Sequence, residues 1–441
     1  MAYSVIGLAR SGVAASNALA RRGFDVQASD IRTPAQLADF LARLEPRVKV
    51  KLGSNAFRPG DTLVMSPGIK PTATIFAEAR AADCEIIGEV ALFQRLRPQS
   101  VPILAVTGTD GKSTTTSWLG HIMSQHGPVW TGGNLGTPLC ESLSQLTDEH
   151  VVVAEISCFQ LSTSPEMHPK VAVFTNLAPD HLDYYSGSYD EYQAAKKRLL
   201  GNQGPGDATI LNADDPILST WEPPPGARRV LRSRQKELSE GVFSIGPTIE
   251  VRLPEFSGTL LEVRELPIPG THNVDNAMGA SAAALIAGAT VDEVREGLRT
   301  FGGLEHRMER VRTVGGVTWY NDSKATNPHA AMAGLGAFDE PIVLICGGSA
   351  KGADFTEWAD VAVKQCRHIV ACGATAGQML AAVGGRVPTT HTETMADAVE
   401  AANEAAAGSG VAALSPACAS FDQFDNFEHR GRVFKDLVNQ L

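Results

Sequence analysis

The chain has 441 residues, 43% of them hydrophobic and 20% charged, with a formal net charge of −11. That length exceeds one ordinary domain, and the mix is that of a globular chain with a real core. The acidic balance excludes a general nucleic-acid binder. No apolar run reaches the roughly 18 residues of a membrane span, so neither nucleic acid nor membrane is an expected partner. The seven Cys are scattered without a Cys-x-x-Cys, which excludes a disulfide framework or a Cys-based zinc site and points to a reducing cytoplasm.

The N-terminus enters a strand at Ser4–Leu8 with no basic segment and apolar core of a secretion signal, so export is not expected. Apolar runs at Val5–Leu8, Phe24–Ala28 and Thr62–Met65 alternate with helical patterns at Ala14–Arg22 and Pro34–Leu44. This predicts a small parallel α/β domain over residues 1–98. Gly7-Leu-Ala-Arg-Ser-Gly12 follows the first strand, and Asp30 ends the second. An acid there usually meets a ribose hydroxyl. Ala9 replaces the middle glycine of the dinucleotide fingerprint, so a mononucleotide such as a uridine diphosphate conjugate fits better than a nicotinamide cofactor. Ser66-Pro-Gly68 follows a strand end, either lining the same edge or making a simple turn.

Ile103–Thr116 carries the strongest signal: an apolar strand, a Gly-rich turn and a helix opening at Lys112. Gly108 and Gly111 permit a tight turn whose N–H groups can converge on an anion. The helix start adds unpaired N–H groups and a positive dipole end. Lys112 can reach terminal phosphates, and Ser113 or Thr114 can offer a hydroxyl to Mg²⁺. Val106 stands where the usual P-loop pattern has glycine. Thr131–Gly136 reads as a second Gly-rich turn. The buried strand Val151–Ala154 ends in Glu155, where a Mg²⁺ ligand or a solvated carboxylate would sit. Strand Val171–Phe174 leads into Asn176–Asp183, where His181 lies among Asp180 and Asp183 and could contact metal or substrate. Tyr192 and Lys196 share a helix face, while Lys196-Lys-Arg198 alone reads as a solvated basic run.

Residues 221–236 are Pro- and Arg-rich and predict an exposed loop or insertion. Short β-type runs over 242–268 predict hairpins at a domain edge. His272–Asn276 opens an Ala-rich helix, with Asn273 and Asn276 on one face suited equally to capping or to nucleotide. Gly302-Gly303 marks a boundary, giving a central domain over 99–303 and a third over 304–441. Strands at Val317–Tyr320, Pro341–Cys346, Ile369–Ala371 and Val411–Leu414 end in polar loops, and a last helix follows Asn426. These loops predict one functional edge.

Thr107–Thr114, Glu155-Ile-Ser, Asp180–Asp183, Tyr192–Lys196, His272–Asn276 and His306-Arg307 occur in one order. Together they resemble the Mur ligases of bacterial peptidoglycan synthesis. The loops Asn321–Asn327, Lys351–Asp354 and Ser415–Phe424 narrow the likeness to the branch that adds D-glutamate. The chain departs from the family at Asp110, commonly Asn, and at Cys158, commonly Ser. The resemblance implies an α/β chain of three domains: a Rossmann-like N-terminal domain, a central P-loop-type ATPase domain and a Rossmann-like C-terminal domain. It implies an ATP-dependent amide ligase that phosphorylates the carboxylate of UDP-N-acetylmuramoyl-L-alanine and lets the amine of D-glutamate attack the acyl phosphate. The protein would serve cytoplasmic cell-wall synthesis, as a monomer.

By the same resemblance, Gly108, Thr109, Asp110, Gly111, Lys112, Ser113 and Thr114 hold the ATP phosphates, and Asn273, Asn276, Arg307 and Asp322 meet adenine and ribose. Glu155 with Ser113 and Thr114 serves one Mg²⁺; His181 and Lys196, the latter as a CO₂-derived carbamate, serve a second. The UDP-linked substrate meets Arg10, Ser11, Asp30, Ile31, Arg32, Ser66-Pro67-Gly68, Ser157 and His181, with Asn134 nearer the sugar. Arg10 and Ile31 differ in type from the family's residues, which favours backbone contact. D-glutamate meets Thr326 and Lys351, with Ser420, Phe421 and Phe427 closing on it, and Lys324 near the reacting groups. Subsites on three domains imply closure around the substrates. The alternatives are another Mur-type or folylpolyglutamate synthetase-like ligase, which the third-domain loops argue against, and a non-catalytic nucleotide-binding scaffold, which would not need Glu155, His181 and Lys196 together.

Overall fold

The computed structural model describes residues 2–268, 270–349 and 353–441. The first segment alternates short strands and helices: β1 (Ala2–Ile6), α1 (Arg10–Arg21), β2 (Asp25–Asp30), α2 (Ala38–Leu41), β3 (Lys49–Leu52), β4 (Thr62–Met65), α3 (Thr74–Ala81), β5 (Glu85–Gly88) and α4 (Glu89–Leu96). The strands are parallel, in the order β3-β2-β1-β4-β5. Winding reverses between β1 and β4, so the turns after these two strands flank the crevice where an open sheet takes ligands. The helix expected over Pro34–Leu44 is broken. Leu37 leaves helical backbone (φ −115°, ψ 7°), separating a 3-10 turn (Ala35–Leu37) from the one-turn α2. Leu37 is fully buried at that break.

The second segment runs β6 (Ile103–Thr107), α5 (Lys112–His126), β7 (Val129–Gly133), α6 (Leu139–Ser142), β8 (Val151–Glu155), α7 (Cys158–Ser162), β9 (Val171–Phe174), α8 (Tyr189–Lys197), β10 (Ala208–Asn212), β11 (Arg228–Ser233), β12 (Gly241–Ile245), β13 (Thr248–Arg252), β14 (Ser257–Glu262), α9 (Thr271–Ile286) and α10 (Val291–Thr300). Its strands form one sheet, β14-β13-β12-β11-β10-β9-β6-β8-β7, parallel except for the closing hairpins β12–β13 and β13–β14. Register aligns Val106 with Glu155 and Thr107 with Phe174. The turn after β6, the end of β8 and the start of the loop after β9 therefore meet at one edge.

Two expectations are corrected here. The Pro- and Arg-rich stretch is not simply an exposed loop, because β11 lies within it and pairs with β10. Its arginines are partnered: Arg228 meets Glu240 and Glu255, Arg229 meets the Trp221 carbonyl, and Arg232 and Arg234 share Asp275. Only Arg232 is buried, and a buried charge needs such a partner; Arg234 stays exposed. Thr131–Gly133, expected in a turn, belongs to β7, and the turn starts at Asn134. Gly133 runs so close to β8 that a Cβ there would sit 2.4 Å from the Glu155 carbonyl oxygen.

The third segment runs β15 (Glu309–Val314), β16 (Val317–Asn321), α11 (Pro328–Leu335), β17 (Ile342–Cys346), α12 (Thr356–Gln365), β18 (Cys366–Cys372), α13 (Ala376–Val383), β19 (Thr389–Thr392), α14 (Met395–Ala406), β20 (Gly410–Leu414) and α15 (Phe427–Gln440). The sheet order is β15-β16-β20-β17-β18-β19, with only β15 antiparallel. The edge strands β15 and β19 carry no fully buried residue, so they lack the apolar run that marked their neighbours.

The chain divides into two compact units, one comprising the first two sheets through Leu266 and His272–Thr300, the other Pro267–Thr271 and Phe301–Leu441. Inside the first unit one apolar cluster runs without a break from Val5, Val90 and Phe93 to Leu139, Leu161 and Tyr192. In the second, Trp358 anchors one face of the sheet and Trp319 with Phe434 the other. All seven cysteines are buried and free. No helix among the described residues is long and apolar enough to cross a membrane.

Candidate active site

The phosphate loop of the first unit is built by close approach. Gly108 sits at φ +149° and Gly111 at φ +75°. A Cβ on Gly108 would lie 1.8 Å from Thr175 Oγ1, and one on Gly111 would lie 2.3 Å from Asn276 Oδ1. Thr175 donates its hydroxyl to the Asp110 carbonyl at 2.6 Å. Asn176 accepts the Thr109 N–H on its backbone oxygen at 3.0 Å and the Asp110 N–H on its side chain at 2.8 Å. These two amides are thus engaged by the protein. Gly111 offers no side-chain cap to α5, so the first turn of that helix presents its N–H groups to an incoming anion. The side chain of Asp110 is exposed, and its backbone alone ties the loop. We expect Gly108→Ala to raise the KM for ATP, the nucleotide that the sequence resemblance implies, about 10-fold or more, since the added methyl must displace Thr175 or the loop. Steady-state kinetics check this, and an unchanged KM would show the loop to be tolerant.

Two lysines converge on the same loop. Lys112 donates to the Thr109 carbonyl at 2.6 Å, and Lys196 donates to the Gly108 carbonyl at 2.6 Å. Lys196 is buried (1% exposed), which lowers its pKa to about 8. Its Nζ lies 4.6 Å from the centroid of Tyr192, one turn earlier on α8, and the Tyr192 hydroxyl meets Thr109 Oγ1 at 2.8 Å. The basic run around Lys196 is therefore not a solvated face at that residue, because Lys196 points into the core while Lys197 is exposed.

Glu155, also 1% exposed, accepts the Asn134 amide on Oε1 at 2.6 Å. Its Oε2 is buried without a protein partner. An ionised carboxylate is stable there only with a further donor or a cation. Ser157 caps α7 in a reciprocal box with Gln160, so its hydroxyl is already engaged. His181, in left-handed backbone (φ 52°), packs 4.8 Å from Phe159 and lies 3.3 Å from Asp180. Ser113 is half-buried and Thr114 buried, both on the first turn of α5. Among the described residues no three His, Cys, Asp or Glu side chains gather as a metal cluster.

In the first sheet, Gly7 and Ser66 are neighbours: a Cβ on Gly7 would lie 2.7 Å from that of Ser66. Asp30 is buried and accepts the Leu8 N–H at 2.7 Å and, from Arg32, the backbone N–H, Nε and Nη2. Burial pushes its carboxyl up, but the Arg32 guanidinium and the Leu8 and Arg32 amides outweigh that and hold it at about 2. Arg10 reaches the Gly136 carbonyl at 3.5 Å. Ile31 stands 66% exposed, while Ser11 and Pro67 are half-buried and Gly68 exposed.

The second unit brings its polar loops to one edge. Asn321 pairs with Leu414, so Asp322 faces Ser415, whose hydroxyl it accepts at 2.8 Å. Burial raises the Asp322 carboxyl to about 7. The Met308 N–H, next to Arg307, also reaches Asp322 at 3.3 Å. Lys324 lies 5.9 Å from the Phe427 ring, and the Thr326 N–H bonds the Lys324 carbonyl at 2.8 Å. Ser420 is buried and Phe421 is 74% exposed. Lys351 lies outside the described residues.

Several residues on which this geometry depends carried no signal of their own. Asn176 and Thr175 follow a strand end crowded with stronger candidates, and Arg232 sits in what reads as a loop.

Three domain models match the chain: the Mur ligase MurD-like N-terminal domain over residues 2–88, the Mur ligase middle domain over 106–284, and the Mur ligase glutamate ligase domain over 306–418. The UDP-N-acetylmuramoylalanine–D-glutamate ligase of Acidobacterium capsulatum is 40% identical, covering 98% of this chain and 95% of its own. The enzyme of the same name from Geotalea uraniireducens is 38% identical, covering 99% and 97%. Among solved structures, MurF from Acinetobacter baumannii superposes with a TM-score of 0.61 at 20% identity, covering 91% and 88%. The UDP-N-acetylmuramate-alanine ligase MurC from Thermotoga maritima does so with 0.60 at 18%, covering 100% and 99%. Identity this high along nearly the whole chain, on three matched domains, places the chain in the Mur ligase family, among the UDP-N-acetylmuramoylalanine–D-glutamate ligases.

Proposed function

We propose that the phosphate loop of the first unit holds ATP so that its γ-phosphate passes to the L-alanyl carboxylate of UDP-N-acetylmuramoyl-L-alanine. The observation that carries this reading is the buried, half-partnered Glu155 beside that loop. A carboxylate is a poor electrophile, and phosphorylation supplies a leaving group. ADP leaves as the γ-phosphate is transferred; the amine of D-glutamate then attacks the acyl carbon, the acyl–oxygen bond to phosphate breaks, and the amide forms with release of phosphate and a proton. Negative charge gathers during the first step, and Lys112 with the open first turn of α5 stabilises it. Within the second unit, the loops carrying Asp322, Lys324, Thr326, Ser420, Phe421 and Phe427, with Arg307, would take D-glutamate and the ribose; Lys351 lies outside the described residues. The crevice between β1 and β4, with Ser66, Asp30 and Arg32, takes the uridine diphosphate end; Asn134 ties that side to Glu155.

The donor set fits Mg²⁺, a hard cation that keeps several waters and shares phosphate oxygens. Glu155 Oε2 with the Ser113 or Thr114 hydroxyl would hold one ion. His181 and a Lys196 carbamate would hold a second. Lys196 fits that modification because its lowered pKa makes the neutral amine, which reacts with CO₂, available near pH 8. When bound, the cations neutralise phosphate charge.

ADP release should require UDP-N-acetylmuramoyl-L-alanine, ATP and D-glutamate together, and each single omission should abolish amide formation. Glu155→Gln should cut kcat by about 10²-fold while leaving the Asn134 contact possible. Product made at a normal rate by this variant, or with L-glutamate or another amino acid in place of D-glutamate, would overturn the assignment.

A further inference from the structure

Arg232, on β11, is buried to 1% exposure. Burying a guanidinium is costly unless its partners are well placed. Among the described residues its two Nη atoms are partnered, while Nε is buried without a hydrogen bond. Nη1 pairs with Asp275 Oδ1 on α9 at 2.9 Å, and Nη2 donates to the Thr175 carbonyl after β9. α9 lies close over it, since a Cβ on Gly279 would sit 3.6 Å from Arg232 Nε. Asp275 is further held by Arg234 at 2.7 Å.

Both partners lead to the phosphate loop. Thr175 donates its hydroxyl to the Asp110 carbonyl and is the group a Gly108 methyl would strike. Asp275 precedes Asn276, whose Oδ1 accepts the Thr115 hydroxyl at 3.1 Å and is the atom a Gly111 methyl would strike. Asn276 also donates to Asn273 at 3.1 Å. The loop is thus gripped from one side by the segment after β9 and from the other by α9, and one side chain joins the two grips.

We propose that Arg232 is a positioning residue of the nucleotide site, setting α9 against the phosphate loop through Asp275 and Thr175. The inference rests on the reading of this loop as the ATP site. Arg232 does not touch nucleotide; it determines where Asn276 and Thr175 stand. A displacement of even about 1 Å at such positions costs up to about 10²-fold. Lysine cannot reproduce the two-pronged geometry, because an ammonium is a point donor.

The test is the ATP dissociation constant by calorimetry with Arg232→Met and Arg232→Lys in the full chain, beside KM values for ATP and D-glutamate. Arg232→Met should weaken ATP binding about 10-fold, with KM for D-glutamate unchanged, and Arg232→Lys should recover part of the loss. A folded Arg232→Met protein with wild-type ATP affinity overturns the proposal, even if its melting temperature falls. Should that variant not fold, Asp275→Asn carries the same expectation, and normal ATP affinity there overturns it. Asn276→Ala separates the two readings. Unchanged affinity in Asn276→Ala removes the loop as the nucleotide site and the proposal with it, whereas weakened affinity there with normal affinity in Arg232→Met removes only the role of Arg232.

Discussion

Lys112→Ala should lower kcat by at least ~10²-fold while the protein stays folded, as expected when a preorganised charge is withdrawn from a site of developing charge. Lys112 is half-buried on the first turn of α5 and donates to the Thr109 carbonyl, so its loss removes little packing. KM for D-glutamate should hold, because the loops proposed for that substrate belong to the second unit. Steady-state rates of ADP release, with circular dichroism to check folding, decide the matter. Turnover within a few-fold of wild type would take the phosphate role away from Lys112. Lys112→Arg, which keeps the charge and changes its shape, should sit between the two.

The second large effect is at Lys196. Lys196→Ala should be nearly inactive, and a short carboxylic acid in the buffer should restore part of the rate by supplying the missing anion. Full activity without any added acid would sink the carbamate. The pH dependence follows from the lowered pKa of about 8 against an ordinary 10.5. Native Lys196 releases its proton near pH 8, whereas the unfolded chain keeps it to about 10.5. Between these values the unfolded state binds more protons, so this residue makes stability rise with pH across that window. The same neutral amine is what CO₂ needs. Activity regained on adding bicarbonate to degassed enzyme should therefore be larger at pH 8.5 than at pH 7, and equal recovery at both would contradict the assignment.

Where the chain advertised itself, the reason was local. The loop at Thr107–Thr114 needs no distant residue to be recognised, because strand, glycines and helix start lie within one stretch. Polar loops at the ends of apolar strands were legible for a similar reason: a parallel sheet sends its carboxyl ends to one edge. The failures share a cause as well. Lys196 and Arg232 both read as solvated charge, because charge in sequence says nothing of a partner some 88 or 43 residues away. Gly133 read as a turn because a glycine looks the same whether it bends the chain or lets two strands crowd. The break at Leu37 was invisible because its apolar spacing is that of an unbroken helix. Asp30 shows the converse: its position at the end of β2 was foreseen, but its partner Arg32, two residues on, occupies both oxygens.

The two lysines that close onto the Gly108 and Thr109 carbonyls have a thermodynamic meaning beyond their chemistry. The resting loop is already solvated by its own protein. In the proposed role of Lys112, an arriving nucleotide exchanges one oxygen partner for another and does not encounter a bare cation. The favourable enthalpy of the new contact is thus reduced by that of the contact given up, and measured affinity reports only the difference. What the arrangement secures in return is shape: the backbone is held in its working curve before any ligand arrives, so little ordering entropy is left to be lost on binding.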